Sequence, residues 1–213
     1  MKIIDYDKSL DKKGIVDEAY VVCNSAKFPV TYQDVYDHLF GDEETILKLL
    51  ISNDRRLAGF GVFENYDLMM EDDVITMLYL SGMVIDPKYQ GKNISREIIR
   101  SAYRDLRSDL ISLRTQNIAM VKSLIRAYND NLFEMPGKVN DELLECLKQA
   151  EPFRDIDDRG VIRDCYANQL YNNLDVIQDS FGIKLQECDA LGVVIEPRYA
   201  KQKVLSRFER SYF

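Results

Sequence analysis

The run Met83-Val84-Ile85-Asp86-Pro87-Lys88-Tyr89-Gln90-Gly91-Lys92-Asn93-Ile94-Ser95 constrains this chain more than any other stretch. An apolar strand pattern from Val74 stops at Asp86, because a residue before proline is pushed towards extended geometry. A short polar loop follows. From Asn93 to Leu106 the residues Ile94, Ile98, Ala102, Tyr103 and Leu106 recur at helical spacing, with Arg96, Arg100 and Arg104 on other faces. The first backbone N–H groups of such a helix have no intrahelical partner, and the helix dipole adds about half a positive charge there. A strand, loop and helix in this order are built to receive an anion. Main chain alone can hold a pyrophosphate, provided the loop residues are small or tolerate unusual φ.

Two familiar phosphate motifs do not fit. A P-loop needs glycine where Asp86 stands and Ser or Thr where Asn93 stands. A dinucleotide fingerprint would have to begin at Gly59-Phe60-Gly61, but Glu64 holds its third glycine position and no helix pattern follows.

The flanks order themselves around that junction. Helical spacing predicts helices over Leu10–Ala26 and, opened by Thr31 with Asp34 as a capping pair and stopped by Gly41, over a short second segment. Thr45–Ser52 and Leu57–Phe63, separated by Asn53-Asp54-Arg55-Arg56, predict a β-hairpin. An acidic loop from Glu64 to Asp73 precedes the long strand. Beyond the motif helix come a short strand at Leu110–Leu113 and a helix at Asn117–Tyr128. After Pro136 the pattern gives a helix at Asp141–Ala150, a mixed segment at Pro152–Asn173 and a strand at Ala190–Ile195. We read one domain, 1–213, with a core of about 1–135 and a C-terminal elaboration of about 136–213.

Composition narrows the partners. The 28 lysines and arginines against 36 aspartates and glutamates give a net charge of −8, which disfavours nucleic acid. The tail from Pro197 is the exception, with five basic residues against Glu209 alone; a solvated terminal extension accounts for it. Cys23, Cys146, Cys165 and Cys188 include no Cys-x-x-Cys pair, so neither zinc nor a redox dithiol is expected, and four buried thiols are. The sequence suggests no metal, no membrane span and no apolar leader, and the expected location is the cytoplasm.

The stretch Gln90-Gly91-Lys92-Asn93-Ile94-Ser95 resembles motif A of the GNAT superfamily of acyl-CoA-dependent N-acetyltransferases: Gln or Arg, two residues, Gly, one residue, then Gly or Ala. Asn93 stands for the usual glycine and Ser95 for a second small residue. The order of elements over roughly residues 1–130 follows the superfamily too. The resemblance implies an α+β fold: a mixed, mostly antiparallel central sheet flanked by helices. It also implies acetyl-CoA as co-substrate, with the pantetheine arm along Met83, Val84 and Ile85. The pyrophosphate would lie on Gln90, Gly91, Lys92, Asn93, Ile94 and Ser95, and Asn117 would steady the cofactor region. The acceptor would be a primary amine on a small molecule or peptide. A non-catalytic acyl-CoA-binding sensor or interaction module is the alternative, and the oligomeric state is left open, a homodimer included.

Acetyl transfer needs a neutral amine, and a lysine-like amine with a pKa near 10.4 sits about 3.4 units above pH 7, roughly 4.6 kcal/mol. A base is therefore useful, and an acid must protonate the leaving thiolate. The superfamily's usual acid is a tyrosine seven residues after the helix-opening asparagine; here that position is Leu124, and Tyr128, one turn on, is the candidate in its place. Tyr79 and Ser81, alternate residues on one face of the long strand, are candidates for the acceptor side. The single histidine, His38, reads as a partly buried structural residue. Asp155-Ile156-Asp157-Asp158-Arg159-Gly160 resembles the start of a calcium loop, but Arg159 and Tyr166 stand where ligands belong, leaving an exposed turn. No basic residue lies between Leu57 and Asp86; if that acidic stretch faces the acceptor cleft, it draws cationic amines.

Overall fold

The computed structural model describes residues 1–128, 141–165, 174, 183–186 and 188–195. Among these, seven strands form one mixed, mostly antiparallel sheet: β1 (Lys2–Asp5), β2 (Ile46–Ile51), β3 (Leu57–Met70), β4 (Asp73–Ile85), β5 (Leu110–Thr115), β6 (Val161–Ile162) and β7 (Ala190–Ile195), in the order β1-β2-β3-β4-β5-β7-β6. The helices are α1 (Lys12–Ser25), α2 (Tyr32–Phe40), α3 (Ile94–Leu106), α4 (Ile118–Tyr128) and α5 (Asp141–Leu147). The chain divides into two compact units, Met1–Asn65 with Tyr79–Arg107, and Tyr66–Leu78 with Ser108–Phe213.

In the first unit, β2 is central between antiparallel partners, with Leu49 opposite Ile4 on one side and Phe60 on the other. The period-2 alternation of β2 sorts its side chains. Leu47 and Leu49 join Phe60 and Val62 of β3 beneath Val16, Ala19 and Cys23 of α1 and Val35 and Leu39 of α2. Helix α2 starts as its sequence predicts: the Thr31 hydroxyl accepts from the Asp34 N–H at 3.1 Å, and the Asp34 carboxylate accepts from the Thr31 N–H at 2.7 Å. That hydrogen bond to the backbone lowers the Asp34 pKa.

Helix α3 buries Ile94, Ile98, Ile99 and Ala102. It approaches β3 closely at Gly61, where an added Cβ would lie 2.7 Å from Ile98 Cγ2. Its C-terminal turn is fixed by charge. Lys48 of β2 is 1 % exposed, and its ammonium donates to the carboxylates of Asp5 on β1 and Asp105 on α3, both of which reach solvent. A buried ammonium is tolerated when paired and hydrogen-bonded.

The second unit carries β5 antiparallel to β7, with Leu113 opposite Val193, and β6 on the far side of β7. Thr76 of β4 and Asp109 are joined by three hydrogen bonds of 2.9–3.1 Å. Asp189, 1 % exposed, is paired with Arg163 and accepts from the Gln186 N–H at 2.9 Å. Asp157 accepts from the N–H groups of Arg159 and Val161 at 2.9 and 2.8 Å, which makes the Asp155–Gly160 segment a self-satisfied turn.

Two expectations are corrected. The acidic stretch is a hairpin, not a loop: β3 runs on to Met70, with Tyr66, Leu68 and Met70 on the covered side and Asn65, Asp67 and Met69 exposed. Asp67 sits comfortably on the solvent face of the strand, and Glu71 and Asp72 form the turn. The Gln149 amide clasps this strand, accepting from the Met69 N–H at 2.8 Å and donating to its carbonyl at 2.7 Å. The four cysteines are all free, but only Cys23 and Cys146 are buried; Cys165 and Cys188 are half-buried.

The buried ammonium sets a stability order. Replacing Asp5 and Asp105 together by Ala leaves Lys48 without its anions and is expected to cost about 3–5 kcal/mol in urea unfolding. Lys48→Met removes the charge and keeps the volume, and is expected to change stability by about 1 kcal/mol or less.

Candidate functional site

Strand β4 ends in Met83, Val84 and Ile85, all half-buried. The Asp86 N–H is tied to the Ala58 carbonyl at 2.9 Å, so the exit from the strand is fixed to β3. Pro87–Tyr89 then make one 3-10 turn, opened by the Asp86 carboxylate, which accepts from the Lys88 N–H at 2.9 Å. The Gln90 amide reaches back to donate to the Ile85 carbonyl at 2.8 Å. Gln90 thereby braces the loop.

Gly91 has φ +75° and Asn93 φ +60°, with Lys92 between them on the ordinary side. Left-handed residues of this kind can turn neighbouring N–H groups towards one point, as in a nest. An added Cβ at Gly91 would meet nothing within 4 Å, so its left-handed backbone, not crowding, calls for glycine. Asn93 occupies the N-cap position of α3 but makes no side-chain cap, and the first backbone bond onto it comes from Glu97 at 3.2 Å. Gly91, Lys92 and Asn93 are exposed, while Ile94 is buried and anchors the helix. The Lys92 ammonium lies 5.7 Å from the Tyr89 ring centroid, a cation–π contact at the loop's rim.

Met83, Val84, Ile85, Gln90, Gly91, Lys92, Asn93, Ile94 and Ser95 thus form one continuous strand, nest and helix start within the first unit. Earlier on β4, Tyr79 is buried, and Ser81 is half-buried with its hydroxyl donating to the Val62 carbonyl at 3.3 Å. Asn117 and Tyr128 belong to the second unit. The Asn117 side-chain oxygen accepts from the Ala119 N–H at 2.9 Å, and its own N–H donates to Thr115 Oγ1 at 2.9 Å. It therefore acts as the N-cap of α4. Leu124 is fully buried, and Tyr128 is the last residue of α4.

His38 departs from expectation. It is exposed, in the last turn of α2, and its ring lies over β4: an added Cβ at Gly82 would stand 2.1 Å from Nε2 and 3.1 Å from Cδ2 and Cε1. The signal was the isolated glycine in a long apolar strand, which marks a close approach by another group. The thiols offer no comparable chemistry; burial pushes Cys23 and Cys146 up to about 11 and raises Cys165. Among the described residues no group of His, Cys, Asp or Glu could hold a metal ion, and no helix is long and apolar enough to cross a membrane.

Neither a family model nor a curated protein sequence matches the chain. Solved structures do. The ribosomal-protein-S18-alanine N-acetyltransferase from Escherichia coli overlays with a TM-score of 0.53 over 92% of both chains, at 13% sequence identity. This chain has the GNAT fold. Coarser overlays include a GNAT family acetyltransferase from Staphylococcus aureus, with a TM-score of 0.45, 15% identity and coverage of 65% of this chain and 100% of that one. Another is an aminoglycoside 6'-acetyltransferase type Ii, with a TM-score of 0.45, 14% identity and coverage of 65% and 86%. At such identities the likeness is one of fold. It agrees with the resemblance read from Gln90 to Ser95, with Asn93 taking the left-handed position usually given to glycine.

That substitution has a measurable signature. Asn93→Ala is expected to lower stability by about 1 kcal/mol, the scale of forcing an ordinary L-residue into left-handed backbone, whereas Asn93→Gly is expected to stay within about 0.5 kcal/mol of the parent. Urea unfolding of both variants checks the pair.

Proposed function

We propose that this protein is an acyl-CoA-dependent N-acetyltransferase that moves an acetyl group from acetyl-CoA to a primary amine. The observation that carries the reading is the N-terminus of α3, without a side-chain cap and preceded by the left-handed pair Gly91 and Asn93. The residues fit a pyrophosphate: main-chain donors, a loop open around Gly91, and Lys92 beside it. In this reading Gln90, Gly91, Lys92, Asn93, Ile94 and Ser95 hold the pyrophosphate, and Met83, Val84 and Ile85 meet the pantetheine arm with their backbone. Asn117 supports the region through its cap on α4. Tyr128 supplies the proton taken by the departing thiolate, and Tyr79 and Ser81 belong to the acceptor side. If the exposed acids Asp67, Glu71, Asp72 and Asp73 face the acceptor cleft, they draw a cationic acceptor such as a polyamine, a basic peptide or an aminoglycoside.

A second reading, an acyl-CoA-binding module without turnover, is favoured by Leu124, fully buried where the superfamily's usual acid stands. Thiol release from acetyl-CoA with a panel of spermidine, a lysine peptide and kanamycin, beside equilibrium binding, separates the two.

Acetyl-CoA and CoA are expected to raise the melting temperature by ligand linkage, and ATP and NAD to do much less. Gly91→Asp, which puts bulk and negative charge at the nest, is expected to abolish most of that rise. Stabilisation by ATP or NAD and not by CoA would overturn the reading. For the acid, Tyr128→Phe is expected to lower kcat by about 10²-fold or more with CoA affinity nearly unchanged. Equal rates, with chemistry shown to be rate-limiting, would remove Tyr128 from that role.

A further inference from the structure

The acyl-CoA reading leaves open what receives the proton of the incoming amine. The side-chain position that Gly82 leaves vacant on β4 is filled by the imidazole of His38, Nε2 foremost, 2.1 Å from where a Cβ would stand. Gly82 lies one residue before Met83, in the strand that in the proposed reading carries the pantetheine arm, so Nε2 is set against the backbone where that arm would end. His38 as a residue is exposed, with the tip of its ring turned onto Gly82. It is also the only histidine in the chain, and imidazole is the side chain whose ordinary titration lies nearest neutral pH.

We propose that His38, seated on Gly82, borders the thioester end of the acyl-CoA site and acts as the base of the transfer. The amine nitrogen bonds to the acetyl carbon and gives up its proton to Nε2. The carbon–sulfur bond breaks, CoA leaves as a thiolate that is protonated, and the imidazolium returns its proton to solvent. Gly82 is the matching notch: any side chain there would push the ring away.

This inference rests on the acyl-CoA reading, and the test separates their failures. In tag-free protein the His38 ring gives the single imidazole signal of a carbon–proton spectrum. Acetyl-CoA is expected to move that signal, and 3',5'-ADP, which lacks the pantetheine arm, to leave it in place. His38→Ala is expected to keep the acetyl-CoA-induced rise in melting temperature but to lower kcat by about 10²-fold or more towards the best acceptor of the amine panel. Free imidazole is expected to restore part of that rate. Gly82→Ala, whose methyl meets only the movable end of the ring, is expected to fold and to lose rate in the same way. If acetyl-CoA raises the melting temperature while the imidazole signal stays still, or if His38→Ala keeps the parent rate, the role of His38 is overturned and the acyl-CoA reading stands. If acetyl-CoA neither stabilises the protein nor moves the signal, both fall.

Discussion

One ammonium group organises the first unit. Lys48 sits in the middle strand of three, and its charge is buried between a carboxylate from β1 and one from the last turn of α3. Residues 5, 48 and 105 are far apart in the chain, so the sheet edge and the helix must arrive together for the charge to be matched. The penalty for a mismatch is steep because a buried charge without a partner costs several kcal/mol. Apolar contacts through Ile98, Ile99 and Ala102 hold α3 to its face, with Ile98 seated against Gly61. The ion pairs add a fixed point at its C-terminal turn, opposite the uncapped N-terminus.

Three features then cooperate at that end. The Asp86 N–H bonded to Ala58 and the Gln90 amide bonded to Ile85 fix where the loop begins. The left-handed residues at 91 and 93 decide which way its N–H groups turn, and the buried Ile94 fixes where the helix resumes. Side-chain chemistry is sparse around them: the buried thiols are held protonated, and the nest itself is main chain.

Much of this was legible in the residues because the signals are local. Thr31 and Asp34 lie three apart and cap each other; Pro87 ends a strand; the apolar row from Ile94 repeats every turn. Asn117 was also read at the correct helix start, where the structure gives it a capping bond. The misses depend on distance in sequence. Lys48 looks like a stray charge in an apolar run until Asp5 and Asp105 are brought beside it. Alternation after Phe63 was hidden by the density of acids, of which Asp67 lies on the strand's open face and Glu71 and Asp72 in the turn. His38 next to Leu39 and Phe40 suggested burial, but its surroundings are set by Gly82, more than forty residues later.

Asn93 carries a consequence for the unfolded chain. Glycine would take the same left-handed φ more easily, yet it would also roam more widely before folding. Restricting such a position typically removes about 0.4–1 kcal/mol of disorder from the unfolded ensemble, which offsets part of the steric cost of a side chain at φ +60°. A loop shaped in this way would have less freedom left to lose on binding the anion proposed for it. Part of the ordering that a glycine-rich nest would undergo on binding is here written into the covalent chain, at the one non-glycine residue of the loop whose backbone turns left.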